Sequence, residues 1–425
     1  MSALLGLAWR SALNRRWTLG LTLLAMALSV ALLLGVERIR HDARAGFVQS
    51  VSGTDLIVGA RTGPVQLMLY SVFRIGNATN NINWNSYTTL AQHPAVAWSI
   101  PLSLGDSHRG FAVLGTTSAY FEHFRYGDAH ALEFVAGKPF ADLFAAVIGS
   151  EVASALGYRV DQQIALSHGM SGLDGADGLG AAHTDKPFRV VGILAPTGTP
   201  VDGTVHVSLQ AMTAIHLDWQ GGAPLPGMKI PAQFVQKFDL TPHDITAVLI
   251  GLKRRGDVFR MQRFVNEFRD EPLLGVMPGV ALDELWSVVA VAERTLLAVS
   301  AMVVAVGLAG LVAVVLAGLN ERRRELAILR SVGARPRDIL LLLTAEGLFV
   351  TLLGSLCGLF IVNVAGAVAA PWLQAHFGIV VQPQLLSVDE ARLIAWVIGV
   401  GLLASLVPGL RAYRLSLVDG LTPRI

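Results

Sequence analysis

The chain has 425 residues, 53% of them hydrophobic and only 15% charged, with a mean hydropathy of +0.53, a balance that leans towards a membrane protein. Its formal net charge of +2 is too small to mark a nucleic-acid binder. The single cysteine, Cys357, lies in an apolar run, so no internal disulfide can form.

In chain order, the first uncharged stretch runs from Trp17 to Val36, and its 20 residues are enough to cross a hydrocarbon core. Arg10, Arg15 and Arg16 flank its start, as they would in a signal peptide ending near Ala43-Arg44-Ala45. The apolar run is longer than a signal-peptide core, and the small-residue site lies well beyond its end, so a retained anchor is expected.

From Asp42 to about Asp283 the composition becomes that of a mixed α/β globular domain. Asp55–Gly59 reads as a buried strand, Pro64–Gly76 as a helix opened by proline and Tyr87–His93 as a second short helix. Ala97–Leu104 and Gly110–Gly115 read as a strand pair. Near the far end, Thr246–Leu252 is a strand, Asp257–Phe268 an amphipathic helix with Phe259, Phe264 and Phe268 near one face, and Leu274–Met277 another strand. The middle portion, about 120–240, contains the β-rich pieces Ala145–Ile148 and Phe188–Leu194 and a glycine-rich stretch, Ser167–Asp185, that reads as a surface loop. Glu37–Val51 and Leu282–Arg294 are expected to extend the membrane helices as a stalk.

The second span is Thr295–Asn320. The third follows Arg337 and Asp338 and, apart from Glu346, stays uncharged to His376; the fourth is Leu393–Leu410. Six arginines fill the turn between the second and third spans, and Arg411, Arg414 and Arg424 follow the fourth, whereas the 376–392 turn offers only Arg392. This asymmetry puts both termini and the arginine-rich turn in the cytoplasm. The expected fold is therefore an α-helical membrane protein with four transmembrane helices and a large mixed α/β extracytoplasmic domain, in which two strand-helix-strand halves flank a β-rich insertion. Residues 1–40 hold the amino terminus and first span, 41–285 the outer domain, and 286–425 the other three spans with a cytoplasmic coupling segment at 321–338.

That segment, Glu321-Arg-Arg-Arg-Glu-Leu-Ala-Ile-Leu-Arg-Ser-Val-Gly-Ala334, carries more than a lipid anchor needs. Wound as a helix, it collects Leu326, Ile328, Leu329 and Val332 on one side and Arg323, Arg324, Arg330 and Ser331 on the other. Gly333 fits a carboxy-terminal cap and Pro336 the first turn of the next helix. An anchor on anionic lipid tolerates any order of residues, whereas an apolar ridge flanked by charges of both signs suits a docking partner. The chain contains no phosphate-binding G-x-x-x-x-G-K-[ST] loop; its one Gly-Lys pair, Gly137-Lys138, is followed by Pro139. It also contains no G-x-S-x-G motif, and no paired acid and base points to catalysis.

The coupling segment resembles that of the superfamily of ABC transporter permeases that includes MacB, LolC/LolE and FtsX. Asp338-Ile339, Glu346-Gly347 and the tail Pro408–Leu421 extend the resemblance, and Gly53–Val58, Val147–Ala153 and Phe188–Leu194 are similar to the MacB-type periplasmic domain. The resemblance implies a non-catalytic, dimerising permease of the bacterial inner membrane that pairs with a second copy or a paralogue. It implies that a separate cytoplasmic ATPase subunit binds ATP and Mg, that this chain binds no cofactor, and that movement passes to the outer domain, which acts on a lipoprotein, peptide or small molecule with an outer partner. MacB carries its ATPase on the same chain; LolC/LolE and FtsX do not. By the family pattern, Glu321, Arg324, Glu325, Leu326, Leu329, Arg330, Gly333 and Ala334 form the coupling surface. An FtsX-like scaffold activating a cell-wall hydrolase is the competing implication, and the two-part outer domain of about 240 residues favours the MacB-like one.

Glu346 is read as an interfacial carboxylate contacting the coupling segment rather than a proton relay. Gly354-x-x-x-Gly358, with Gly307 and Gly310, has the small-residue spacing of close helix contacts. His168 and His183 bracket Asp174 and Asp177 in the glycine-rich loop; imidazole and carboxylate suit zinc, but the spacing matches no standard site and no metal is expected.

Overall fold

The structure is a computed structural model, and it describes residues 16–50, 52–168, 183–220, 223–224, 230–321, 328–331, 333–377 and 385–414. Two compact units divide the described residues of the chain. A helical unit is drawn from Met1–Asp42, Ala290–Pro371 and Val381–Ile425, and an α/β unit from Ala43–Val289 and Trp372–Val380.

The helical unit is formed by α1 (Arg16–Gln49) and by the three long helices that close the chain, Pro278–Glu321, Pro336–Phe377 and Val388–Arg414. All four are long and apolar enough to cross a membrane. The expected extensions beyond the first and second spans are helical: α1 runs on to Gln49, and the helix holding the second span begins at Pro278. Met26, Val30, Leu34, Leu308, Leu311, Ile339, Leu343 and Val397 form its shared core.

In the α/β unit, one eleven-stranded sheet dominates. Its strands are β1 (Leu56–Ala60), β2 (Val96–His108), β3 (Phe111–Thr116), β4 (Phe134–Gly137), β5 (Ala145–Ile148), β6 (Gln163–Ile164), β7 (Ser167–His168), β8 (Phe188–Leu194), β9 (Thr204–Ser208), β10 (Ala247–Leu252) and β11 (Leu273–Val276). The helices are α2 (Pro64–Ser71), α3 (Trp84–Ala91), α4 (Ala119–His123), α5 (Ser150–Leu156), α6 (Leu209–Ile215) and α7 (Val258–Asn266); the three closing helices are then α8, α9 and α10.

The two expected strand-helix-strand halves interleave. The order β11-β1-β10-β2 places the first strand of the early half between both strands of the late half, all antiparallel, which is the ferredoxin-like arrangement of two βαβ units. Every residue of β1 is buried because both faces are covered. Ile57 joins one core with Leu67, Phe73 and Leu249, while Leu56 and Val58 join the other with Met261 and Val265. The β-rich insertion continues the same sheet as β3-β9-β5-β8-β4, with parallel pairs at β9/β3 and β8/β5.

One long strand joins the two parts. Residues 96–102 of β2 pair with β10, and residues 103–108 pair with β3 with a register shift between Leu104 and Ser107. The shift lies inside the β2–β3 pairing, after Ser103 and Leu104 have already paired with β3, and bends and twists the strand there. The turn to β3 has two residues, Arg109 and Gly110, both at positive φ, as the tight hairpin turns that match strand twist require. Local signals start the helices: Pro64 opens α2, Asn83 accepts from the Asn85 amide at 2.9 Å to cap α3, and Ser208 accepts from that of Ala211 at 3.1 Å to cap α6.

Two expectations are corrected. The helix read from Pro64 to Gly76 stops at Ser71, because the chain turns at Arg74 and Gly76, both at positive φ. On α7 the core-facing residues are Met261 and Val265, while Phe259 and Phe264 are exposed; the aromatic spacing marked the wrong face.

His206 on β9 is fully buried between the rings of Tyr120 and Phe121. Its Nδ1 lies 3.3 Å from the carbonyl oxygen of Val147, and its Nε2 has no hydrogen-bond partner among the described residues. Burial, helped by the Arg74 guanidinium, lowers its pKa to about 3. Because the unfolded imidazole titrates near 6.5, the unfolded chain binds the extra proton between these values, so His206 makes stability fall as pH drops from about 6.5. The slope is at most ~1.4 kcal/mol per pH unit. Melting of the full chain at pH 7 and pH 5 is expected to show a smaller difference for His206→Leu than for wild type.

Candidate functional site

The turn between α8 and α9 is built from residues with strong terminal preferences. α8 ends at Glu321; Arg324, Glu325, Leu326 and Val332 fall outside the described residues. Residues 328–331 are helical and end in paired hydrogen bonds, Gly333 N–H to Arg330 O at 3.1 Å and Ala334 N–H to Leu329 O at 3.0 Å. This is the Schellman closure, and Gly333 at φ 106° supplies the positive φ it requires. Two residues later Pro336 opens α9, and the Asp338 carboxylate accepts from the Arg335 amide at 2.8 Å, half of a capping box.

Between these caps the apolar ridge divides. Leu329 is half-buried and packs on the core of the helical unit, whereas Ile328 is 61% exposed. Arg330 and Ala334 are half-buried, and Gly333 and Ser331 are exposed. Of the expected coupling surface, Leu329, Arg330, Gly333 and Ala334 have described side-chain environments, and of these Gly333 is exposed; Ile328, which belongs to the expected apolar ridge but not to that set, is exposed as well.

The glycines of the third span meet the first. A Cβ on Gly354 would lie 2.8 Å from Met26 Cγ, and one on Gly358 would lie 2.8 Å from the carbonyl oxygen of Ala27. Gly307 on α8 faces Ser29 and Met26 of α1, while Gly310 has open space around it. Gly401 of α10 sits against Thr351 of α9, and Gly409 against Thr344 and Leu340. Glu346 is half-buried in the third turn of α9.

At the other end of the helical unit lies a charge cluster that the sequence reading passed over. Arg38 Nε of α1 donates to Glu390 Oε1 of α10 at 2.9 Å, with Nη2 2.8 Å from the same oxygen, and Nη1 donates to Asn363 Oδ1 of α9 at 3.2 Å. Glu390 is only 2% exposed. Its second oxygen accepts from the Ser387 amide at 2.8 Å while the Ser387 hydroxyl accepts from the Glu390 amide at 3.1 Å, a full capping box at the start of α10. Arg40 pairs with Glu37 on α1 and approaches Glu293 of α8 at 3.8 Å. The Ser387-x-x-Glu390 spacing was the available signal for the cap; nothing in the sequence pairs it with Arg38, 352 positions away.

In the α/β unit, the side chain of His168 lies outside the described residues, and His183 meets Asp106 and His216 instead, with potential ligand atoms within 4.8 Å of one another. Neither partner was foreseen.

Residues 19–230 match the model of the MacB-like periplasmic core domain, and residues 297–417 that of the FtsX-like permease C-terminal region. A macrolide export ATP-binding/permease protein MacB of Azoarcus sp. (strain BH72) is 25% identical over 414 residues, which cover 94% of this chain and 56% of that one. One of the same description from Brucella abortus (strain 2308) is 26% identical over 232 residues, 54% of this chain and 32% of the relative. The chain thus spans about half the length of the first of these relatives. The crystal structure of the periplasmic region of MacB from Actinobacillus actinomycetemcomitans aligns to 56% of this chain and 95% of its own, at 9% identity and a TM-score of 0.32.

Breaking the Arg38–Glu390 pair on one side leaves a buried charge, a loss of about 3–5 kcal/mol, whereas replacing both with apolar residues removes the desolvation cost as well. Arg38→Met and Glu390→Met are each expected to lower the melting temperature of the detergent-solubilised chain clearly, and the double variant to recover much of that loss.

Proposed function

The chain belongs to the MacB/FtsX superfamily of ABC transporter permeases, and we propose that it is the transmembrane subunit through which ATP hydrolysis on a separate ATPase subunit moves an extracytoplasmic domain. In this reading the chain is a multi-pass protein of the bacterial inner membrane, works as a dimer, and has both termini in the cytoplasm, as the arginine distribution favours. The work done is export or extraction of a substrate outside the cytoplasm, a lipoprotein, peptide or small molecule. No catalytic step belongs to this chain; ATP and Mg are held by the partner.

The observation that carries the reading is the cytoplasmic turn. A segment that only anchored the chain to lipid would need neither a closed carboxy-terminal end nor an exposed apolar side chain before it. Ile328 stands exposed on a short helix closed by Gly333 and followed within a few residues by the capped start of α9. That is the form of a small rigid knob that fits a cleft on a partner protein. α1 and α8, which each continue unbroken beyond their apolar spans, would carry the displacement outward.

The test uses the tagged full chain extracted from native membranes in mild detergent. Ile328→Asp is expected to reduce co-purification of an ABC ATPase at least about 10-fold, which corresponds to ~1.4 kcal/mol, while membrane insertion and melting stay as in wild type. Leu329→Asp is expected to lower both association and stability, because Leu329 also packs on the helical core. Full retention of the ATPase by Ile328→Asp would overturn the docking role of the turn.

A further inference from the structure

We infer that Asp106, His183 and His216 of the α/β unit form a binding site for a transition-metal dication of the zinc class. The site is independent of the transport reading and rests on four observations.

Three remote segments bring the ligands together. Asp106 stands on β2 beside its register shift, His183 lies near the carboxy-terminal end of the glycine-rich stretch, and His216 closes α6. Potential ligand atoms of all three lie within 4.8 Å of one another. A tetrahedral zinc with bonds of ~2.0–2.1 Å separates its ligands by about 3.3 Å, and His216 Nε2 is 3.5 Å from Asp106 Oδ1.

The tautomer of His216 is fixed from behind. Its Nδ1 lies 2.8 Å from the carbonyl oxygen of Met212, which can only accept, so Nδ1 carries the proton. In the neutral ring the Nε2 lone pair then points towards the Asp106 carboxylate, a repulsive arrangement that only a positive charge between or on the groups relieves. A backbone carbonyl holding one ring nitrogen while the other ligates is the second-shell pattern of histidine metal sites.

His183 supplies the independent observation. It is 1% exposed, and neither of its ring nitrogens has a hydrogen-bond partner among the described residues. An imidazole so buried without partners leaves a cost that a metal bond removes. Its ring packs edge-on to His216, with centroids 5.1 Å apart, and on Trp219 at 4.4 Å, which orients it towards the pair rather than towards solvent.

The charges around the cluster leave room for a cation. The nearby ammonium of Lys186 is held by Asp218 at 2.6 Å, with Asp185 at 3.7 Å, so its charge is already matched. Two imidazoles and one carboxylate make the donor set of zinc sites that keep a fourth position open, and the partial exposure of His216 gives solvent or a ligand access to it.

The experiment uses the untagged full chain in detergent, stripped with a chelator and titrated at pH 7.5 with zinc against a chromophoric competitor. One equivalent is expected to bind, and His183→Ala and His216→Ala each to weaken binding at least about 10-fold, while Cys357→Ser leaves it unchanged. Since truncating a buried histidine can unfold the unit, cobalt(II) added to the unaltered chain gives a second reading. Visible bands of tetrahedral cobalt saturating at one equivalent support the site. No binding by the unaltered chain, or equal binding by both histidine variants, would overturn it and leave the cluster as a protonated His216 paired with Asp106.

Discussion

The helical unit depends on one buried ion pair. Taking a guanidinium and a carboxylate out of water costs several kcal/mol per ion, and their attraction offsets that only when the remaining hydrogen-bonding sites are also filled. Here most are filled from three helices, by Asn363 of α9 and by Ser387 and Glu390 at the start of α10, while Arg38 Nη2 of α1 has only its ion-pair contact with Glu390 among the described residues. The same carboxylate therefore caps its own helix and holds α1. Arg40, two residues on, adds α8 through Glu293. With all four helices tied at one end, the glycine contacts between α1, α8 and α9 occur at fixed heights, and bulkier residues there would meet the backbone or side chains of α1.

In the α/β unit the comparable constraint is β2. It belongs to the ferredoxin-like part through β10 and to the β-rich insertion through β3, so neither part can shift along the sheet without breaking its register. A bulge in the β2–β3 pairing lies at Asp106, and the hairpin that follows demands positive φ at Arg109. Asp106 of the polar cluster is thus held by the most constrained strand of the unit, while His183 comes from a loop and His216 from the end of α6.

What the sequence disclosed follows from the range of the physics involved. Uninterrupted apolar runs are sufficient for spans because lipid imposes a length, and β5 and β8 were legible because apolar runs of four to seven residues bounded by polar turns have few other fates. The caps at Gly333 and Pro336 were legible for the same reason: each is decided within one turn of chain. The α7 face was misread because Phe259 and Phe264 are apolar by type but sit outside the stripe that Met261 and Val265 define. Pairings across long separations left no local trace. Arg38 and Glu390 each look like ordinary charges at the ends of spans, and His183 looked like a partner for its neighbours in the loop, whereas the fold brings it to Asp106 and His216.

The turn between α8 and α9 joins these threads. A flexible linker at that place would absorb a push as a change in its own dihedrals, since few of its backbone groups would be committed. Here the amides of Gly333, Ala334, Arg335 and Asp338 are all bonded within the turn, and Leu329 is packed on the helical core. Among the described residues, the hydrogen bonds of Gly333 through Asp338 tie residues 328–331 to the start of α9. That helix lies against Met26 and Ala27 of α1 through Gly354 and Gly358, and Arg38 of α1 is joined to α9 and α10 at the far end. In the proposed reading displacement would enter at one end of the unit and meet the ion-pair cluster at the other, which makes the closed turn and the buried Arg38–Glu390 pair two requirements of one mechanical path.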